Sequence, residues 1–196
     1  MSAVMQLLQQ QLSGEAMNQI SRRLNADPAT TQNAISAALP LLVGALARNS
    51  SNPSGAESLH GALERDHDGS ILDGLGAVLG NLDLGQGAAI LGHVLGARQD
   101  RVQRGLGQTT GLNAGQIGTL LTMLAPIVLG ALGKMQRQQN LDSGGLGSML
   151  NRERQSIEQR APREMGLLES LLDADGDGDV DLSDLARKGL GKLFGQ

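Results

Sequence analysis

The chain of 196 residues predicts an all-α fold: a multi-helix bundle of two related helical halves, followed by a C-terminal helix–loop–helix segment. Apolar residues recur at helical spacing, and polar residues and proline stand where helices would begin. No stretch alternates apolar and polar residues as a half-buried strand would. Apolar residues make up 40% of the chain, enough for a core, but Phe194 is the only aromatic residue, so aliphatic side chains must fill that core.

The first two predicted helices show these signals clearly. Val4, Leu7, Leu8 and Leu12 share one face at helical spacing. Asp27 precedes Pro28, the pair of an N-cap and a first-turn proline, and opens a long apolar helix. Residues 86–106 predict a further single helix with an apolar face.

A partial internal repeat relates two stretches of the chain. Residues 27–46 align without a gap with residues 113–132, at an offset of 86, and "LPLLVGAL" in the first matches "APIVLGAL" in the second. Each stretch has a capping residue at its start, a proline inside an apolar helix and a Gly-Ala pair one turn later. We therefore expect two related halves around one core, with these two helices at its centre and in contact with each other. We also expect a neighbouring backbone to approach them closely at the small residues.

Composition divides the rest of the chain. Residues 1–150 predict the helical domain, which ends in a short helix at about 146–150. Residues 151–161 are strongly charged with little apolar periodicity and predict a linker, with a solvated helix as the alternative. Residues 162–196 predict a separate segment that begins at Pro162.

Features that the sequence lacks exclude some kinds of site and suggest a cellular location. The chain has no cysteine, which excludes disulfides and cysteine-ligated zinc. The first residues lack the basic region and continuous apolar stretch of a secretory signal, so we expect a cytoplasmic protein. Residues 117–132 form an apolar stretch of only 16 residues, shorter than the roughly 20 of a membrane helix. A membrane- or envelope-associated protein is the alternative.

Charge is concentrated near the C-terminus. Residues 1–162 carry 12 basic and 12 acidic side chains, whereas residues 163–196 carry 4 and 8, so the net charge of −4 belongs to the tail. The chain has no strong basic excess and almost no aromatic surface for base stacking, so we expect no nucleic-acid partner.

The tail contains the sharpest motif of the chain, "DADGDGDVDLSD". Its spacing is that of an EF-hand calcium loop, with aspartate at positions 1, 3, 5, 9 and 12, and with Gly178 at position 6 for the sharp turn. Position 7 supplies a backbone carbonyl and position 9 commonly acts through a water. The predicted metal residues are Asp173, Asp175, Asp177, Asp179, Asp181 and Asp184.

The ion that suits this loop is Ca²⁺, with Mg²⁺ as a possible competitor. Position 12 is usually glutamate, and the shorter Asp184 should weaken calcium binding. A single loop without a partner loop should bind calcium with a dissociation constant of roughly 10⁻⁵ to 10⁻³ M. Unliganded carboxylates repel one another, so ion binding should be coupled to folding of the tail. The ordered tail could then dock on the helical core, on a second copy or on another protein, through Leu190, Leu193 and Phe194.

A second acidic stretch, "RDHDGS", contains Asp66, His67 and Asp68. It lacks a third acid at the next alternate position, so we expect a turn and helix cap; a weak cation site is the alternative. His93 lies in an apolar helix, where a hydrogen-bonded core histidine is expected. No HExxH, P-loop or G-x-S-x-G motif occurs, so we expect no enzyme unless folding brings Asp66, His67 and His93 together in a cleft.

The stretches "LERDHDGSILDGLG", "ILGHVLG" and "LAPIVLGALG" together resemble the bacterial YidB-like proteins, a family of unknown function (DUF937). The resemblance covers roughly residues 20–150. It implies an all-helical fold and a bacterial source, and it implies no activity. The aspartate loop itself resembles one half of a dockerin pair, in which aspartate recurs at position 12.

Overall fold

The computed structural model describes residues 3–80 and 84–160 of the chain. This part is helical and contains no strand, which confirms the all-α prediction. Two short 3-10 turns, Ser70–Leu72 and Gly96–Arg98, interrupt the helices. The α-helices are α1 (Ala3–Gln11), α2 (Glu15–Leu24), α3 (Pro28–Asn49), α4 (Pro53–Asp66), α5 (Leu75–Gly80), α6 (Leu84–Leu95), α7 (Gln99–Thr110), α8 (Ala114–Gln139) and α9 (Ser143–Arg160).

Helices α3 and α8 form the centre of the core and contact each other. Residues 38–47 of α3 and 120–133 of α8 are buried without interruption. Helices α2, α6, α7 and α9 pack on α3, and α1, α2, α4, α6 and α7 pack on α8. The prediction that these two helices are central and in contact is confirmed.

Both central helices begin at the predicted residues. The Asp27 carboxylate accepts a hydrogen bond of 2.9 Å from the Thr30 amide, and Pro28 occupies the first turn. Asn113 accepts from the Gln116 amide while the Gln116 side chain accepts from the Asn113 amide, both at 2.9 Å. These bonds satisfy amides that have no partner within their own helix, so each cap fixes where its helix starts.

Two predicted element boundaries differ from the structure. The stretch 86–106, expected as one helix, is split into α6 and α7 because Gly96 has φ 53°, a left-handed conformation that ends a helix. Residues 151–160, expected as a charged linker with a solvated helix as the alternative, are the second half of α9. Leu150 and Ile157, seven residues apart, are both buried beneath the charged face, and this spacing places them on one side of a helix.

A close backbone contact occurs at the predicted small residue Gly130. Gly69, with φ 94°, lies so near that a Cβ added to it would stand 3.1 Å from the Gly130 carbonyl oxygen and 2.8 Å from the Lys134 Cβ. A Cβ on Gly130 would in turn collide with the Ile71 side chain. The neighbour that approaches α8 at this point is therefore the turn after α4, not another long helix.

Helices α3 and α8 are long and apolar enough to cross a membrane by length and composition alone. Within the helical structure, however, 67% and 72% of their most apolar stretches are buried. Core helices pass the same test, so their composition is weak evidence for a membrane span.

Candidate functional site

A groove of about 620 Å³ runs between α4 and α6. Its floor consists of Leu46, Val94 and Leu129, which are all buried, and its walls include the half-buried Leu59 and Ile90. The volume lies within the usual range of ligand-binding sites, and the apolar floor with a polar rim is typical of such sites. The polar rim residues are Asn49, Arg65, Asp66, His67, Gln86 and His93.

Two features hold the walls of the groove in place. Asn52 caps α4 by accepting a 2.8 Å hydrogen bond from the Gly55 amide, so α4 begins directly after the end of α3. The Asn49 side-chain amide donates to the Val94 carbonyl oxygen at 3.1 Å and to the His93 carbonyl oxygen at 3.4 Å. Because these carbonyls belong to the last turn of α6, the bonds tie that helix end to α3 and satisfy carbonyls that lack an intrahelical partner.

The groove lining includes all three residues of the conditional enzyme hypothesis. Asp66 and His67 lie at the end of α4, and His93 lies in the last turn of α6. The expectation of a core position for His93 is wrong, because the residue is exposed on the groove. The apolar residues around it face α3 and α8, but position 93 falls on the open side of α6.

The stretch at 66–70 is a turn, as expected. Asp68 accepts a hydrogen bond of 2.9 Å from the Ser70 amide and lies 3.7 Å from an Arg137 guanidinium nitrogen. Hydrogen bonds from the Ser70 side chain and backbone hold the pKa of Asp68 below its usual value, and Arg137 adds to the effect. The carboxylate is therefore engaged in stabilising the turn.

Electrostatics at the groove rim favour neutral His67. Burial lowers the pKa of His67 below its usual value of 6.5, and the negative charge of Asp66 only partly opposes this effect. Asp66 itself lies 3.9 Å from the Arg65 guanidinium. An uncharged imidazole at the rim can accept or donate a hydrogen bond to a bound molecule.

Metal-ligand side chains are not clustered in the part of the chain that the structure describes. Among residues 3–80 and 84–160, no group of three or more His, Asp or Glu side chains is placed to hold a metal ion. The weak cation site suggested for "RDHDGS" therefore has no third ligand there. The predicted calcium residues from Asp173 to Asp184 lie outside the described residues.

The groove could not be predicted from the sequence. Its walls include Ser58, Leu59 and Ala62 on α4 and Ala89 and Ile90 on α6, and no motif in the sequence marks these residues as a binding site. Periodicity shows which residues share a helix face, but it does not show whether another helix covers that face. The partly exposed apolar residues become informative only when their neighbours are known.

Comparison with known proteins places the chain in one family. Residues 6–135 match DUF937, a bacterial protein family of unknown function. No curated protein and no solved structure matches the chain. The matched stretch covers α2 to α7 completely, together with most of α1 and α8, including both capped central helices and both walls of the groove. The chain therefore belongs to the DUF937 family of bacterial proteins.

Proposed function

We propose that this protein is a non-enzymatic, calcium-binding helical protein whose C-terminal loop orders the tail. The observation that carries the proposal is the aspartate spacing from Asp173 to Asp184, with Gly178 at the turn position. Six aspartates in twelve residues repel one another without a counter-ion. A divalent cation converts that repulsion into attraction, so metal binding stabilises the folded loop relative to the unfolded one.

The calcium ligands have distinct roles in this proposal. Asp173, Asp175 and Asp177 supply carboxylate oxygens, Asp181 acts through a water, and Asp184 closes the site from the exiting helix. Asp179 supplies its backbone carbonyl, so its side chain is not a ligand. The short Asp184 makes a tighter site in which Mg²⁺ competes with Ca²⁺.

The helical domain is proposed to consist of two related halves. Several observations support this arrangement beyond the sequence repeat. Helices α2 and α3 precede α4 as α7 and α8 precede α9, and α4 and α9 contact each other. The contacts between the halves correspond as well, if α2, α3 and α4 are taken as equivalent to α7, α8 and α9. Helix α3 packs on α9 as α8 packs on α4, and α2 packs on α8 as α7 packs on α3. In this view α9 completes the second half, so the domain extends to about residue 160.

The cellular setting is proposed to be the cytoplasm, without a nucleic-acid partner. The balanced charge of residues 1–162 and the burial of α3 and α8 against other helices support this choice. Membrane or envelope association is the alternative, and it predicts that the protein leaves the soluble fraction unless detergent is present.

An enzyme is the second candidate, and one observation favours it: Asp66, His67 and His93 line the same groove. Against it, Asp66 lies beside Arg65, and no third metal-ligand side chain joins the two histidines among the described residues. An enzyme would need a further catalytic group beside Asp66, His67 and His93, whereas the calcium-binding proposal needs none, so we prefer calcium binding.

Calorimetric titration of metal-free protein with calcium tests the proposal. Wild type should give saturable heat near one equivalent, with a dissociation constant on the order of 10⁻⁵ to 10⁻³ M. Asp173→Ala should abolish that heat because it removes the first ligand of the loop. Asp179→Ala is the matched control: it removes the same charge from the same loop and should bind calcium nearly as wild type does.

Two outcomes of the calcium titration would contradict the proposed site. Loss of heat in both variants would point to bulk charge, not to a loop with defined ligands. Absence of heat in wild type would refute the site altogether. Asp184→Glu sharpens the result, since the longer side chain should tighten calcium binding and disfavour magnesium.

A further inference from the structure

The groove between α4 and α6 has the form of a helix-binding cleft. Both flanking helices rest on α8, and the groove separates them. Its floor is buried and apolar, while Leu59 and Ile90 on its walls are only partly covered by the described residues. Two helices that flank an apolar floor form the surface on which an amphipathic helix packs with its apolar face inward.

The length of the α4 wall sets the length of the helix that the groove can hold. Residues that line the groove recur along α4 at helical spacing, from Gly55 to His67, a stretch of 13 residues. At a rise of 1.5 Å per residue, this stretch is about 20 Å long. The lining residues on this wall are Gly55, Ser58, Leu59, Ala62, Arg65, Asp66 and His67.

The chain itself contains a segment of matching length and pattern. Residues 182–194 also number 13, and their leucines and Phe194 fall at positions i, i+3, i+8, i+11 and i+12, one apolar stripe on a helix. Arg187 and Lys192 border this stripe, and Asp184 and Lys188 lie opposite it. Two glycines lower the stability of so short a helix in isolation, so it needs a packing partner to persist.

The chain is long enough to bring this segment to the groove. Helix α9 begins beside the groove: a Cβ added to Gly147 would lie 3.2 Å from the carbonyl oxygen of Ser50, which lines the groove. With 18 residues, α9 is about 27 Å long, so its end lies no farther than that from its start. The 21 residues from 161 to 181 cover about 32 Å even if wholly helical and about 70 Å if extended.

We infer that the groove between α4 and α6 binds residues 182–194 of the same chain as a helix, with Leu190, Leu193 and Phe194 against its apolar floor. The inference rests on the proposed function, because calcium at the aspartate loop fixes the start of this helix. Calcium would thereby control whether the groove is covered by the chain's own tail or open to other molecules.

Thiol protection tests the inference on the full-length chain. Because the protein has no cysteine, Ala62→Cys on α4 and Ala89→Cys on α6 each introduce a single reporter thiol on a groove wall. Calcium should slow alkylation of either thiol by a maleimide about tenfold. This factor is expected if the helix is docked roughly nine-tenths of the time, because the thiol then reacts only in the remaining tenth. Ser36→Cys, on the exposed face of α3, is the control and should react at the same rate with and without calcium.

Tail variants identify the occupant. Phe194→Asp or Leu190→Asp, added to each reporter, should restore fast alkylation in calcium. Calcium binding should remain saturable near one equivalent and weaken by no more than about tenfold, because docking and calcium binding are coupled. Protection that depends on protein concentration would assign the groove to the tail of a second copy and would overturn the inference. Unchanged alkylation at both reporters, despite saturable calcium heat, would also overturn it while leaving calcium binding intact.

The two proposals fail separately. If calcium titration gives no heat, the calcium site is refuted. If the groove thiols are nevertheless protected in that protein, and Phe194→Asp removes the protection, the docked tail is retained. Circular dichroism of each reporter variant confirms that the helical domain is folded before alkylation rates are compared.

Discussion

Helices α3 and α8 have related sequences but different neighbours. Both begin with a side-chain cap, contain an internal proline and carry a Gly-Ala-Leu sequence one turn later, at an offset of 86. On α8, the turn after α4 packs onto Gly130, Gly133 and Lys134. At the position of α3 that corresponds to Gly133, the residue is Ala47, which is fully buried. Related sequences therefore give the same helix, while the surroundings decide which positions exclude a side chain.

Truncation of corresponding leucines should show the largest difference between the two helices. Leu132 of α8 is fully buried, whereas its counterpart Leu46 is 5% exposed and lines the groove. Leu132→Ala should lower the free energy of unfolding by about 3–5 kcal/mol, and Leu46→Ala by about 2–3 kcal/mol, because a cavity open to the groove is filled more easily. Urea unfolding followed by circular dichroism measures both. Equal losses would show that the groove does not relieve the cavity at Leu46.

Exchange of the small residues at the next pair of positions should have a smaller effect. A Cβ on Gly133 would collide with the His67 carbonyl, so Gly133→Ala should lower the free energy of unfolding by about 1–3 kcal/mol. The reciprocal change, Ala47→Gly, should cost the helix propensity of alanine, about 1 kcal/mol, together with about 1 kcal/mol for the buried methyl group that it removes. Thermal unfolding of both variants provides the comparison. A stabilised Gly133→Ala would contradict the close packing of the turn on α8.

Cap variants should show the smallest effect and a difference in pH dependence. Asn113→Ala should lower the free energy of unfolding by about 1 kcal/mol at any pH, because the amide does not titrate. Hydrogen bonds from Thr30, first from its hydroxyl and then from its backbone, hold the pKa of Asp27 below its ordinary value of 3.8. The contribution of Asp27 is therefore present above that value and is lost as the pH falls through the lower pKa of the folded protein.

Unfolding of wild type and Asp27→Asn between pH 2 and 7 measures this difference. The variant should lose less stability in acid than wild type does, since its cap keeps the same acceptor without titrating. Identical acid profiles for the two proteins would show that Asp27 forms no charge-dependent cap in solution.

Much of the fold was predictable because its signals are local. An aspartate directly before proline is a local signal of a helix start, and the internal repeat aligns Asn113 with Asp27, so both caps were identified correctly. The second half of α9 was predicted only as an alternative to a linker, because Ile157 is the one apolar residue of 151–160 and lies among charges. The break at Gly96 was missed because a glycine within a helix and a glycine that ends one look alike in sequence.

By itself, the sequence determined the helical class and the starts of the central helices, and it supplied the aspartate spacing on which the calcium proposal rests, since each depends on residues near one another in the chain. Only the tertiary structure decided that His93 is exposed, that a turn packs on Gly130 and that α4 and α6 leave an apolar groove between them. These features depend on which helix faces are covered. Packing of elements distant in sequence sets that coverage, and no local pattern encodes it.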